Sequence, residues 1–398
     1  MHSFRQANAS SRGRLDAELA KDDLQPAVCE RLIRKRDALA TLQTGVDSLL
    51  QGLGLTSAQS CLGAARCNDG LPRSQDLLSY RNNLFRDWSW DNGEAQAMLA
   101  AVNAVLAAPT GRNPQLGRTL TLGSGAGRLS YDLHQQHQPV HSVLLDMNPL
   151  LSALAAQIIG GVVVHMPEFP VAPRCGADAS RIQRCALPSG APAAPANLQV
   201  LVADALAPPF AAASFDTVLT PWLVDILPIS LRCFVPVVNR LLPCGGRWVN
   251  TGTLAFALDD ESENYAPDEV PALIEAAGFE LQAFEQVTQP YLQSPLSAHG
   301  RVEQIYSWHA VKRADCLPDR TIANRPTWLD AIDAPIPADE QFAYASAHHL
   351  LNAQVLGAVN GKRSLQTIAR LLAAKHQLDE TTARSAIEAI LLRRDSGT

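Results

Sequence analysis

The eight cysteines (Cys29, Cys61, Cys67, Cys175, Cys185, Cys233, Cys244 and Cys316) include no C-x-x-C pair. That lack argues against a thiol or zinc framework and fits a reducing cytoplasm, the expected location. No apolar run reaches bilayer length, so no membrane span is expected. The first residues, MHSFRQANASSRGR, lack the apolar core of a signal peptide. Neither sign of charge dominates: 33 basic against 39 acidic residues gives −6, which implies no nucleic-acid or membrane field. His134, His137 and His141 lack carboxylate support and ligand geometry, so no metal site is expected. What remains is a globular composition, 47% hydrophobic and 18% charged. Its 398 residues suggest two or three domains at ~150 residues each.

Residues 119–149, TLTLGSGAGRLSYDLHQQHQPVHSVLLDMNP, organise the chain. Residues 119–122 read as a short apolar strand, and Gly123, Gly125 and Gly127 follow at once. Residues 128–138 have helical composition, and 143–145 form a second buried strand ending in Asp146. Glycines at a strand-to-helix turn let backbone approach a ligand at a helix N-terminus. An acidic residue about 20 positions on, at the end of the next strand, suits a ribose diol. The bland reading is a tight turn with no ligand; Asp146 in this register favours a nucleoside site.

Residues 1–80 show no strand. Leu32, Leu39, Leu42, Val46, Leu49 and Leu50 stand at helical spacing, predicting an N-terminal bundle or lid. Arg31, Arg34, Lys35 and Arg36 read as a solvated face. Residues 80–92, YRNNLFRDWSWDN, fit either a helix end packed on the sheet or a lid with Arg86 binding a carboxylate. A helix over 94–108 precedes the first strand, and another over 149–159 follows the second. Residues 160–197 collapse into Pro, Ala, Gly and Ser, which predicts an inserted surface loop with a hairpin at 161–169. Further strands are predicted at 198–203, 215–220 and 247–251, with helices at 230–242 and 267–277. The alternation predicts an α/β fold: a doubly wound, mainly parallel sheet. Strands at 279–287 and 301–312 form its antiparallel edge. A proline-rich linker (314–340) leads to a small helical unit (341–398), with Ser364 and Asp379 as N-caps.

Four motifs then occur in one order: Phe85-Arg86-Asp87-Trp88-Ser89, GSGAGRL at 123–129, DTVLTPWLVD at 216–225 and LPCGGRWVNTG at 242–252. Over about 80–312 the chain resembles the carnosine N-methyltransferase family of class I S-adenosylmethionine-dependent methyltransferases. The resemblance implies a seven-stranded Rossmann-like sheet over 81–313 and S-adenosyl-L-methionine as cofactor. Arg86 then matches the arginine on the methionine carboxylate, and Asn83 stands where the family has a cofactor-binding glutamine. Trp88 and Pro221 belong to the cofactor motifs, while Gly123, Gly125 and Arg128 match the glycine loop. Asp146 replaces a ribose-binding glutamate, and Asp204 and Ala205 fall where adenine is read. Trp222, Asp225 and Tyr291 line the substrate side. Asp225, which matches an aspartate on the substrate imidazole, acts on the acceptor with Tyr291 and Tyr306. The family's pocket histidine falls on Phe256-Ala257-Leu258, and Leu223 replaces an aromatic, so the cofactor half matches more fully than the acceptor half.

Residues 351–392, LNAQVLGAVNGKRSLQTIARLLAAKHQLDETTARSAIEAILL, resemble a PqqD-like, winged-helix-type unit. That resemblance implies binding of a leader peptide or a partner protein. Together these point to N-methyl transfer to a histidine-containing peptide or dipeptide-like small molecule. In such a displacement the acceptor nitrogen must be neutral, and Asp225 could fix the imidazole tautomer from its other nitrogen. The competing reading is a non-catalytic module that keeps the fold and recruits a peptide or partner. A nicotinamide dehydrogenase is disfavoured by the Gly245-Gly246 turn before a late strand and by the antiparallel edge.

Overall fold

A strand covered on both faces must be apolar or satisfy its polar groups locally. Arg118–Leu122 (β1) does so, buried from Thr119 onward, with the Ser130 hydroxyl donating to Thr121 Oγ1 at 2.9 Å. The structure, a computed structural model, describes residues 2–52, 80–112, 114–193, 195–258, 260–316, 340–360 and 362–395. Two units divide the chain, Met1–Ile322 and Ala323–Thr398.

The first unit begins with His2–Leu19 (α1) and Pro26–Gly52 (α2), then Arg81–Trp88 (α3) and Glu94–Ala107 (α4). After β1 come Arg128–His137 (α5), His141–Asp146 (β2) and Pro149–Ile159 (α6). Val164–Glu168 (β3) and Arg181–Cys185 (β4) precede Leu198–Val202 (β5), Thr217–Pro221 (β6), Leu231–Leu241 (α7) and Arg247–Gly252 (β7). Val270–Ala276 (α8), Phe279–Tyr291 (β8) and Arg301–Lys312 (β9) complete it. The sheet order is β5-β2-β1-β6-β7-β9-β8. Pairs among the first five of these strands are parallel, whereas β9 runs antiparallel to β7 and β8. The fold is therefore the expected α/β, doubly wound, mainly parallel seven-stranded sheet with an antiparallel edge.

Alternate residues along the strands feed two layers. Leu120, Leu122, Val143, Leu145, Val218 and Trp248 pack with Phe234 and Val238 of α7 and Ile274 of α8. On the other face Leu219 and Val249 meet Val102 of α4 and Leu133 of α5. Leu144 packs instead with Leu154 and Ile158 of α6, and with Leu42 and Val46 of α2. The N-terminal helices are thus cemented to the helix layer of the sheet. Helix starts follow local chemistry: Asn148 accepts the N–H groups of Leu150 and Leu151 with Pro149 at the first turn, and Ser230 caps α7.

The expectation of a loop with a hairpin inside 161–169 needs correction. β3 pairs with β4, so the insert carries a two-stranded antiparallel sheet spanning 164–185. The second strand, Arg-Ile-Gln-Arg-Cys, holds one β-branched residue and two arginines, which hid it from a periodicity reading.

The second unit holds Glu340–Ala358 (α9), Leu365–His376 (α10) and Glu380–Asp395 (α11) around Val355, Ile368, Leu372, Ala383 and Ile387. Ser364 accepts the Thr367 N–H and Asp379 the Thr382 N–H, as expected of N-caps. No strand occurs among its described residues, and most of the proline-rich linker lies outside the described residues. No helix among the described residues is long and apolar enough to cross a membrane.

His309, on β9, is buried, and burial lowers its pKa from 6.5 to about 4. The unfolded chain then takes the proton first, so stability is lost as pH falls from 6.5 towards 4. Urea unfolding at neutral and mildly acid pH is expected to show a smaller acid loss for His309→Gln than for the wild type.

Candidate active site

The strand order reverses between β1 and β6, and open α/β sheets bind ligands beyond the strand C-termini at such a point. Gly123 follows β1 there, Asp146 ends β2, Asp204 lies just past β5, Trp222 follows β6, and Gly252 ends β7.

In the glycine loop, Gly123, Gly125 and Gly127 sit at φ +69°, +57° and +87°, conformations that side chains rarely adopt. A Cβ on Gly125 would meet nothing within 4 Å, so that backbone faces open space. Its N–H donates to Asp146 Oδ2 and the Asn148 N–H to Oδ1, each at 2.8 Å. Burial pushes the Asp146 pKa up against these two donors.

The R-D-W segment docks on this loop from α3. The Trp88 indole N–H donates to the Ala126 carbonyl at 2.7 Å, and its ring meets Tyr131 edge-on at 5.8 Å. Arg128 lies 5.4 Å from the Trp88 ring and donates to the Asp87 carbonyl at 2.9 Å. Arg86 is buried and grips the Asp87 carboxylate through Nε at 2.8 Å and Nη2 at 2.7 Å. Its Nη1 is buried with no partner among the described residues. An unpaired donor on a buried guanidinium is costly, and an incoming carboxylate would satisfy it.

Across the cleft, Trp222 takes φ +52° and donates its N–H to the Thr251 carbonyl at 2.8 Å. A Cβ on Gly252 would lie 2.9 Å from the Trp222 nitrogen, so only glycine lets the two segments pass. The Trp222 and Tyr291 rings lie 4.2 Å apart, 34° between planes. Asp225 Oδ2 accepts the Thr253 hydroxyl at 2.5 Å and the Ala255 N–H at 3.0 Å. Asp225 Oδ1 is buried without a partner among the described residues. Burial pushes Tyr291 up in pKa; Arg86 and Arg301 oppose that shift, and Asp225 adds to it. Tyr291 therefore lies within electrostatic reach of both the Arg86 and the Asp225 side chains.

The other expected residues are spread more widely. Asn83 is half-buried on α3, and Pro221 is buried at the end of β6. Asp204 is exposed and accepts the Leu206 N–H at 2.8 Å, while Ala205 is buried in the core beside it. Tyr306 is not brought together with Tyr291. It shares a face with Trp308 and packs on Phe284, whereas Tyr291 lies on the opposite face of the β8–β9 hairpin with Arg301. His134 bonds Ser142 and His137 bonds Asn103.

Sequence reasoning missed Asp87, whose carboxylate holds Arg86, and Thr253, which holds Asp225; Asp87 could have been found inside the R-D-W motif. It also missed Tyr80, whose phenol is pushed up to about 12 by burial and by nearby Asp146 and Tyr291. No sequence pattern marks Tyr80.

No family model matches this chain, and no curated protein does. Among solved structures, a putative methyltransferase from Bacillus halodurans C-125 is similar at 13% identity and TM-score 0.38, covering 55% of this chain and 100% of that one. The N-methyltransferase NodS from Bradyrhizobium japonicum WM9, in complex with S-adenosyl-L-homocysteine, is similar at 13% and TM-score 0.36, covering 59% and 99%. A methyltransferase from Methanosarcina mazei is similar at 14% and TM-score 0.35, covering 50% and 94%. The sheet order, not these distant likenesses, carries the description of the fold as methyltransferase-like Rossmann.

Trp88→Phe keeps one aromatic ring but removes the fused pyrrole ring with its N–H donor, stranding the buried Ala126 carbonyl. A loss of about 1–3 kcal/mol in denaturant unfolding is expected.

Proposed function

We propose that this chain is an S-adenosylmethionine-dependent N-methyltransferase acting on a histidine-containing peptide or dipeptide-like molecule. One observation carries the reading. A buried donor, Arg86 Nη1, and a buried acceptor, Asp225 Oδ1, both lack partners among the described residues, and both side chains act electrostatically on Tyr291. An orphaned guanidinium nitrogen suits the cofactor's carboxylate, and an orphaned carboxylate oxygen suits an acceptor N–H.

The residues present fit the cofactor. Arg86 would hold its carboxylate, with Asn83 and Trp88 beside it. The backbone at Gly123 and Gly125, with Arg128 behind, would face its middle. Asp146 would take the ribose hydroxyls, and Asp204 and Ala205 the adenine, with Pro221 along the floor. When bound, the sulfonium supplies an electrophilic methyl group.

The chain's own work is positioning. Asp225 Oδ1 would accept the N–H of an imidazole, so that the other ring nitrogen faces inward with its lone pair free. The same carboxylate would stabilise the positive charge that the ring gains. Trp222 and Tyr291 would wall off water, as an in-line displacement requires. The PqqD-like reading of the C-terminal unit enters as a holder for a longer peptide; exposed Leu350, Leu371 and Leu378 support it.

Calorimetry with S-adenosylhomocysteine is the first test. Binding to the wild type is expected, and Arg86→Lys, which loses the planar fork, is expected to weaken it about tenfold or more. Absence of binding by folded wild type favours the non-catalytic module. Labelled-methyl transfer to carnosine and to histidine-containing peptides is the second. Asp225→Asn is expected to lower kcat/KM about ten- to a hundredfold, the size of a lost charge-assisted hydrogen bond. Transfer to none of them, with the cofactor bound, removes this acceptor class.

A further inference from the structure

Tyr291 is the last residue of β8, and residues 292–300 return the chain to β9. Two buried carboxylates hold that loop from outside the hairpin. Glu94, the first residue of α4 and 4% exposed, accepts the N–H groups of Leu292 and Gln293, each at 2.8 Å. Glu168, the last residue of β3 and 1% exposed, accepts the Ser294 hydroxyl, the Trp90 indole N–H at 2.9 Å and the Gln183 amide at 2.6 Å. The insert adds backbone bonds: the Arg174 N–H donates to the Leu296 carbonyl at 3.0 Å, and the Ala298 N–H to the Ala172 carbonyl at 2.8 Å. Leu292, directly after Tyr291, is held at φ +49°, where a leucine does not rest unaided.

We propose that Glu94 and Glu168 are positioning residues of the acceptor pocket, and that the insert clamps residues 292–300 so that Tyr291 is presented beside Trp222 and Asp225. The proposal rests on the methyl-transfer reading above. Each carboxylate accepts several donors at once, which only an acceptor-only group can do. At position 94 a glutamine turns its amide NH2 towards the Leu292 or Gln293 N–H, so the loop is pushed off; at 168 the Ser294 hydroxyl can turn and accept such an NH2, so alanine is the change that releases the loop there. The anchors reach the loop after Tyr291, Trp90, Asn92 and the insert, but make no hydrogen bond to residues 123–127. The clamp therefore acts first on the acceptor half, although Glu168 also reaches α3 through Trp90 against Phe85, and Glu94 lies within electrostatic reach of Arg86. Glu168 stands on β3, inside the expected 161–169 hairpin but paired instead with β4, which gives that insert a task.

The test uses the full chain with Glu94→Gln, Glu168→Ala and the milder Ser294→Ala, which removes one hydroxyl from an external loop and should fold normally. Hydrogen exchange by mass spectrometry is followed over 288–300 and 119–130, S-adenosylhomocysteine affinity by calorimetry, and steady-state kinetics with carnosine as the acceptor probe. Exchange over 288–300 is expected to rise about fivefold or more, and the KM for carnosine by a similar factor. Exchange over 119–130 and kcat are expected to stay within about twofold in all three, and S-adenosylhomocysteine affinity to do so in Ser294→Ala, which touches neither Arg86 nor α3. A general destabilisation would move those as well. Unchanged exchange over 288–300 in all three variants, or an equal rise over 119–130, overturns the proposal. The exchange measurement needs no acceptor and decides it even if carnosine is not methylated. Wild-type protein that binds no S-adenosylhomocysteine instead overturns the function proposed above.

Discussion

The docking of Arg81–Trp88 onto the glycine loop is the constraint on which the rest of the site depends. One indole N–H, from Trp88 to the Ala126 carbonyl, ties that helix to the loop. The neighbouring Arg86–Asp87 pair lies almost entirely out of water. A buried ion pair gains little net stability, because desolvation offsets the Coulomb attraction. Its value here is geometric. The carboxylate of Asp87 occupies two nitrogens of the guanidinium and leaves the third directed elsewhere. Arg128, spanning the Asp87 carbonyl and the Asp132 carboxylate, locks the same helix from the other side.

This frame leaves Arg86 Nη1 unpartnered, and the hold of Thr253 and Ala255 on Asp225 Oδ2 leaves Oδ1 unpartnered, among the described residues. Both belong to side chains whose remaining polar atoms are already satisfied, so neither can turn inward to find a protein partner. The Tyr291 ring, paired with that of Trp222, lies within electrostatic reach of both side chains.

Much of this was legible in the sequence. The strand, glycine turn, helix, strand and Asp146 could be placed because hydrophobic periodicity and turn chemistry agree there. The antiparallel edge and the terminal caps at Ser364 and Asp379 were legible for the same reason. The β3–β4 pair was not, since a strand with two arginines and a glutamine gives no apolar alternation. Nor could the sequence say that Tyr291 and Tyr306 face opposite ways. Their parity depends on the register of the β8–β9 pairing, which sets Gln286 opposite Tyr306 and Tyr291 opposite Arg301. Glu94 and Glu168 are isolated acids in the sequence, and only the fold shows what each one gathers.

The crossing of Gly252 beneath Trp222 has a consequence for descent. The G-G-x-W-x-N-x-G segment looks like a cofactor signature, yet its parts serve the architecture: Trp248 fills the core and donates to Thr220, and Asn250 bonds the same hydroxyl. The closing glycine exists because a left-handed tryptophan passes over it. A lineage that placed even an alanine there would have to reroute the chain after β6, so the two sites are bound to change together or not at all.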